Sequence, residues 1–214
     1  MSSCGCQGVD KVFGDRTAEH DLRRYRKRGP AKSTRILLEQ LIEEGVRGAT
    51  VLDVGGGVGT VQQELLAAGA ERATTVEASP AYVRAARAEA GRRGTLDRVE
   101  YVEGDFVAMA DGVGPADIVT LDRVVCCYPD MEALVGRSAD RARRLYGLVY
   151  PRDTWWVKVA FRTMNAFMLV TRRAFRVHVH ATTAVDATAR RSGLALRAHR
   201  RSGLIWQVVL YARS

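Results

Sequence analysis

The sequence predicts an α/β fold: a doubly wound, mostly parallel seven-stranded sheet that closes with an antiparallel C-terminal hairpin. Three observations carry this. Short apolar runs alternate with segments of helical period from Thr50 to Tyr150, the pattern of right-handed βαβ units. A glycine-rich turn follows the first of those runs, where an open α/β sheet places its ligand crevice. Two strand-like runs separated by a glycine end the chain, as a hairpin requires.

In chain order, Met1 to Pro30 is polar and irregular, and its basic run Arg23-Arg24-Tyr25-Arg26-Lys27-Arg28 ends at the breaker Gly29-Pro30. This reads as an arm, with residues 1–32 forming a basic lid and residues 33–214 a single domain. Ser33 or Thr34 caps a helix whose Ile36, Leu37, Leu41 and Ile42 recur at helical spacing. A buried parallel strand is expected at Thr50 to Val54, a helix at Val61 to Ala68 and a second strand at Arg72 to Val76. Ser79-Pro80 opens the next helix, since Ser caps well and Pro suits the first turn. Strands follow at Val99 to Val102 and Ala116 to Leu121, then a helix at Met131 to Arg144 and a strand at Leu145 to Tyr150. A long helix from Asp153 to Arg173 precedes a shorter one at Val185 to Ser192. The final strands are Ala195 to Arg200 and Leu204 to Tyr211.

A chain of 214 residues suits one hydrophobic core. It holds no apolar stretch long enough to span a membrane, and Met1 to Gly8 lacks the apolar centre of a signal peptide. The expected location is therefore the cytoplasm. Cys4/Cys6 and Cys126/Cys127 form two close pairs, which is not the spread of a secreted disulfide framework. The net charge of +9 suits an anionic partner, and an Arg-rich, Lys-poor coding bias accounts for it equally well.

The local signal is Val51-Leu52-Asp53-Val54-Gly55-Gly56-Gly57-Val58-Gly59. A P-loop needs Gly-Lys-Ser/Thr, but Thr60 and Val61 follow Gly59. A dinucleotide fingerprint begins at Gly55 and Gly57 but meets Thr60 where its third glycine belongs. Asp53 separates the readings, because a carboxylate before the turn repels a pyrophosphate and suits the ammonium of a methionine moiety. Here the chain resembles the class I S-adenosylmethionine-dependent methyltransferases, whose D-x-G-x-G-x-G motif is matched by Asp53, Gly55, Gly57 and Gly59, with Gly56 inside it. The resemblance implies S-adenosylmethionine as cofactor and continues at three further strand ends. Glu77, followed by Ala78, takes the position that holds the ribose hydroxyls. Gly104-Asp105-Phe106 takes the adenine position, and Asp122 lies beside the sulfonium.

After the fourth strand, Asp122-Arg123-Val124-Val125-Cys126-Cys127-Tyr128-Pro129-Asp130 lacks the Asn/Asp-Pro-Pro-aromatic run of enzymes that methylate exocyclic amines. Its Tyr-Pro dipeptide, the basic-aromatic arm and the later helical insertion resemble the magnesium-protoporphyrin O-methyltransferase group, which esterifies a propionate. Cys127 stands where the chlorophyll-pathway enzymes carry His, a departure that bears on tetrapyrrole specificity. The resemblance implies methyl transfer to an oxygen of a small apolar or anionic acceptor. An RNA-directed methyltransferase and a non-catalytic cofactor-binding protein are the alternatives. Tyr25, Cys127, Tyr128 and His180 are the candidate catalytic residues, and Arg23, Arg26, Arg123 and Arg152 the candidate clamps for an anion. His178 and His180 fall on one face of an expected strand, without a third ligand at metal-binding spacing, so no metal is expected. Trp155, Trp156, Phe161, Met164, Phe167 and Met168 make the long helix apolar, as core or as a wall for a flat acceptor.

Overall fold

The computed structural model describes residues 13–171 and 175–213; Cys4 and Cys6 lie outside them. Strands β1 (Thr50–Val54), β2 (Arg72–Glu77), β3 (Val99–Glu103), β4 (Ala116–Asp122) and β5 (Ala142–Pro151) pair in parallel, and β6 (Leu194–Ser202) and β7 (Trp206–Arg213) complete one sheet in which β7 alone runs opposite to the rest, pairing antiparallel with both β5 and β6. Its order is β3-β2-β1-β4-β5-β7-β6. The chain reverses direction across the sheet between β1 and β4, and the crevice of such a fold opens there, beyond the carboxyl ends of the strands.

Both faces are covered. Alternate strand residues face two apolar layers: Val51, Ile118 and Val149 pack with α2 (Lys32–Glu43) and α3 (Thr60–Ala67). Leu52, Val119 and Leu148 pack with α6 (Met131–Asp140) and α8 (Thr182–Arg191). Two-sided burial explains why these strands read as continuous apolar runs. Helix α4 (Pro80–Arg93) starts as expected, with Ser79 accepting a bond from the Tyr82 amide, and ends on Gly94 at φ 69°. The short α5 (Phe106–Met109) follows β3 and is capped by Asp105.

Five local readings differ from the structure. Ser33 and Thr34, expected to cap α2, lie buried inside it, and Ala31 is its N-cap. The arm is ordered helix over α1 (Asp15–Arg28), where Ala18, Leu22 and Tyr25 make a buried stripe against Val58, Ala81 and Tyr82. That stripe was hidden in the sequence by the arginines on its other side. Burying Leu22 and Tyr25 contributes roughly 1.5–3 kcal/mol each. Surface pairs such as Arg84–Asp15 contribute about 0–1 kcal/mol, so apolar burial decides where the arm sits. Helix α6 stops at Asp140, and β5 takes Ala142, which pairs with Ala116. His178 and His180 lie in an irregular segment rather than a strand, where the His178 amide bonds the Cys126 carbonyl. The long helix, α7 (Trp155–Val170), buries only Val157 and turns most of its apolar side chains outward, so it is neither core nor cleft wall along most of its length.

Gly147 shows how tightly α2 meets the sheet. A Cβ built there would come 2.6 Å from Cδ1 of the fully buried Leu37. Gly147→Val is expected to lower stability by roughly 1–3 kcal/mol through overpacking, measured as an earlier urea midpoint; an unchanged midpoint would show that Leu37 can move aside.

Candidate functional site

The carboxyl ends of β1, β2, β3 and β4 border one cavity of about 250 Å³. Its walls include Gly55, Gly57, Glu77, Ala78, Gly104, Asp105, Phe106 and Asp122, so parallel pairing brings together residues far apart in sequence. A side lobe of about 90 Å³ extends under α1 and the start of α2 and reaches Asp53, Gly56, Tyr25 and Thr34.

The turn after β1 is a backbone cradle. Gly55 and Gly57 have φ of 67° and 56°, which favours residues without a Cβ. A Cβ on Gly55 would lie 2.4 Å from the Val124 side chain, and one on Gly56 would lie 2.3 Å from Thr75 Oγ1. Gly59, at φ 84°, leads into α3, where a Cβ would meet the Gln62 amide at 2.5 Å. The Glu77 carboxylate accepts bonds from the Gly57 amide and the Ser79 amide, both at 2.9 Å, which locks the turn to the end of β2. Asp122 accepts a bond from Thr34 Oγ1 at 2.7 Å and contacts Arg123 Nε at 3.3 Å. Arg123 holds φ at 62°, an unfavourable conformation for a non-glycine residue, at the mouth of both cavities.

The candidate catalytic residues have different neighbours. Tyr128 is buried in the cavity wall, and its hydroxyl donates to both oxygens of Asp105, at 3.2 and 3.1 Å. Cys127 also lines the cavity, with its thiol near the Arg123 carbonyl at 3.6 Å and the Cys126 thiol at 3.8 Å. The bond to Cys127, together with burial, pushes the Cys126 thiol up. Tyr25 borders the side lobe, yet its hydroxyl donates to Glu64 at 2.6 Å. His180 lines neither cavity; its Nε2 lies 3.0 Å from the Tyr128 carbonyl, and burial holds its pKa below the ordinary value. Among the four candidate clamps, only Arg123 borders the cavities. Arg26 binds Glu89, Arg23 pairs with Glu19 on the surface, and Arg152 binds the Leu204 carbonyl.

Several lining residues carried no local signal. Phe13 and Phe175 meet edge to face at 5.3 Å across the cavity wall, and Tyr82 donates to Asp21 at 2.6 Å. Thr120 donates to Asp53 Oδ1 at 2.8 Å because β1 and β4 pair those two residues. Only strand order reveals that partnership.

Asp53 is the electrostatic centre. Among the described residues its Oδ2 is buried without a hydrogen-bond partner. Burial raises the carboxyl to about 7, the Thr120 bond lowers it, and the nearby Asp122 and Glu77 charges raise it further. A glycine cradle, a buried carboxylate oxygen that lacks a donor, and acids at the ends of β2 and β3 fit a ligand with a cationic amine at one end and hydroxyls and a base at the other. Between the unfolded carboxyl value near 3.9 and about 7, the folded ligand-free protein keeps a proton that the unfolded chain has lost, so stability falls as pH rises through that window. Asp53→Asn should match the wild type below about pH 4 and exceed it above about pH 7. Thermal melts of both proteins across pH check this, and parallel curves would refute a raised Asp53.

Residues 51–144 match the family described as a methyltransferase domain. No curated protein matches the chain in sequence. Magnesium protoporphyrin IX methyltransferase from Synechocystis PCC 6803, solved with bound SAH, superposes with a TM-score of 0.71 at 19% identity, over 98% of this chain and 94% of that one. An O-methyltransferase family protein from Burkholderia thailandensis superposes at 0.74 and 18% identity, over 98% of this chain and 64% of that one. The chain therefore has the fold of these methyltransferases, and its residues 51–144 are similar in sequence to a methyltransferase domain.

Proposed function

We propose that this protein binds S-adenosylmethionine along the ends of β1 to β4 and transfers its methyl group to an oxygen of a small apolar or anionic molecule. The observation that carries the reading is the single cavity in which the glycine turn, Glu77, Asp105 and Asp122 meet, next to the unpartnered Oδ2 of Asp53. Glu77 would hold the ribose hydroxyls, Asp105 and Phe106 the adenine, and Asp53 and the turn the methionine part. Bound there, the cofactor supplies an electrophilic methyl group.

The surroundings favour a carboxylate acceptor over a hydroxyl. A hydroxyl needs a base at the reacting oxygen, whereas His180 is engaged with the Tyr128 carbonyl and lies off the cavity lining. A carboxylate oxygen is already ionised and needs orientation and a nearby cation, which Arg123 supplies at the cavity mouth. Tyr128 then acts on the cofactor side, by holding Asp105 in place. The similar proteins named above are O-methyltransferases or act on a porphyrin by their descriptions, which supports the same direction.

Titration calorimetry with S-adenosylmethionine tests the first half of this reading. Glu77→Ala should weaken binding about tenfold, the equivalent of losing one to two hydrogen bonds to ribose; wild-type protein that gives no heat would overturn the assignment. For the second half, protein supplied with methyl-labelled cofactor and cell extract should form a product that releases labelled methanol in mild base. Stable label would indicate an ether or amine product, and label retained on RNA would favour a nucleic-acid acceptor.

A further inference from the structure

The net charge of the protein is carried by its last third. Residues 154–214 contain eleven Lys and Arg and one acidic residue, Asp186, whereas residues 1–153 contain 22 basic and 23 acidic residues. The same third carries most of the exposed large hydrophobic residues among those described. Helix α7, roughly 24 Å long, leaves Trp155, Val159, Phe167 and Val170 on its outward side, with Trp155 73% and Val170 82% exposed. Exposed patches of this kind mark interaction surfaces.

The β6–β7 turn continues the patch. Leu204 and Ile205 are exposed there, and the carbonyls of both accept bonds from Arg152, whose guanidinium lies 5.7 Å from the Trp156 ring. Arg200 and Arg201, at the end of β6, are exposed beside that turn, as is Arg162 on α7. The patch also sits on the cleft side of the sheet. Helix α7 follows the carboxyl end of β5, and Trp206 pairs with Pro151 at that end. Asn165 grips both backbone groups of Val177, at 2.7 and 2.9 Å, and the segment that includes Val177 also places Phe175 in the cavity wall.

We propose that α7 and the β6–β7 turn form a docking surface for an anionic lipid bilayer, with the tryptophans, Phe167 and Leu204 entering the headgroup boundary and the arginines facing lipid phosphates. An interfacial helix joins an apolar face to flanking basic groups in this way. Charge complementarity separates the bilayer from the other occupants. A second copy on this face would oppose arginine to arginine with no acidic residue of α7 to pair them. A nucleic acid needs cations at the centre of its footprint. The centre of the α7 face is apolar, and its Lys158 is neutralised by Asp153. This inference stands apart from the methyl-transfer reading and does not depend on it.

Co-sedimentation of the purified full chain with phosphatidylcholine vesicles, with and without phosphatidylglycerol, tests it. The protein should pellet with the anionic vesicles, and its tryptophan emission should shift to the blue and be quenched by brominated acyl chains, since two of the three tryptophans lie in the patch. The double variant Trp155→Ser, Phe167→Ser alters exposed side chains only and should reduce partitioning about tenfold, with an unchanged melting temperature. The proposal is overturned by no pelleting, by pelleting that the double variant leaves intact, or by a dimer in light scattering that the double variant abolishes. Tight RNA binding lost in the same variant would overturn it as well.

Discussion

The cleft depends on the burial of the Asp53 carboxylate at the end of β1. One oxygen is satisfied by Thr120 across the β1–β4 pair, while the other has no donor. Raising a carboxyl to about 7 represents on the order of 4 kcal/mol of disfavoured charge. Thr75 on β2 bonds the Asp53 carbonyl, and a side chain on Gly56 would strike both Thr75 and the Asp53 carboxylate. Asp53, Thr75 and the glycines are thus one interlocked unit, and the turn passes close over the strand ends because no Cβ stands in its way.

A second unit holds the arm against that turn. The Glu89 side chain is fully buried, and burial would raise its carboxyl; hydrogen bonds from Arg92, Arg26 and Arg93 reverse this and bring it to about 2. Arg26 belongs to α1 and the other two arginines to α4, so the carboxylate ties the arm to the domain. Arg93 also lies over the Tyr25 ring at 5.0 Å and reaches Glu64, the acceptor of the Tyr25 hydroxyl. Ser79 donates to the Phe13 carbonyl at 2.7 Å. The arm becomes a wall of the cleft because its apolar stripe and these polar links face the same way.

On the acceptor side, support runs outward in a chain. His180 meets the Tyr128 carbonyl, the Tyr128 hydroxyl holds Asp105, and the His178 amide bonds the Cys126 carbonyl at 2.7 Å. These bonds pin the turn after β4 to the segment that follows α7. Residue types that suggest catalysis are here spent on holding the loop that closes the cavity, since a buried hydroxyl or imidazole must find a partner wherever the fold places it.

The sequence by itself determined the sheet, most of its helices, the antiparallel close and the glycine turn with its following acids, because period, capping and turn chemistry act between residues near in the chain. The Ser79-Pro80 start of α4 is of this kind. Local reading missed the helix in the arm, since the six-residue basic run outweighed a stripe of three residues, and it placed the histidines on a strand where the segment instead bonds the turn after β4. Only the tertiary structure decided which titratable groups reach the cleft. Thr120 finds Asp53, Tyr128 finds Asp105 and Glu89 gathers three arginines through strand order and helix docking, and a hydrogen bond between residues far apart in the chain has no period to announce it.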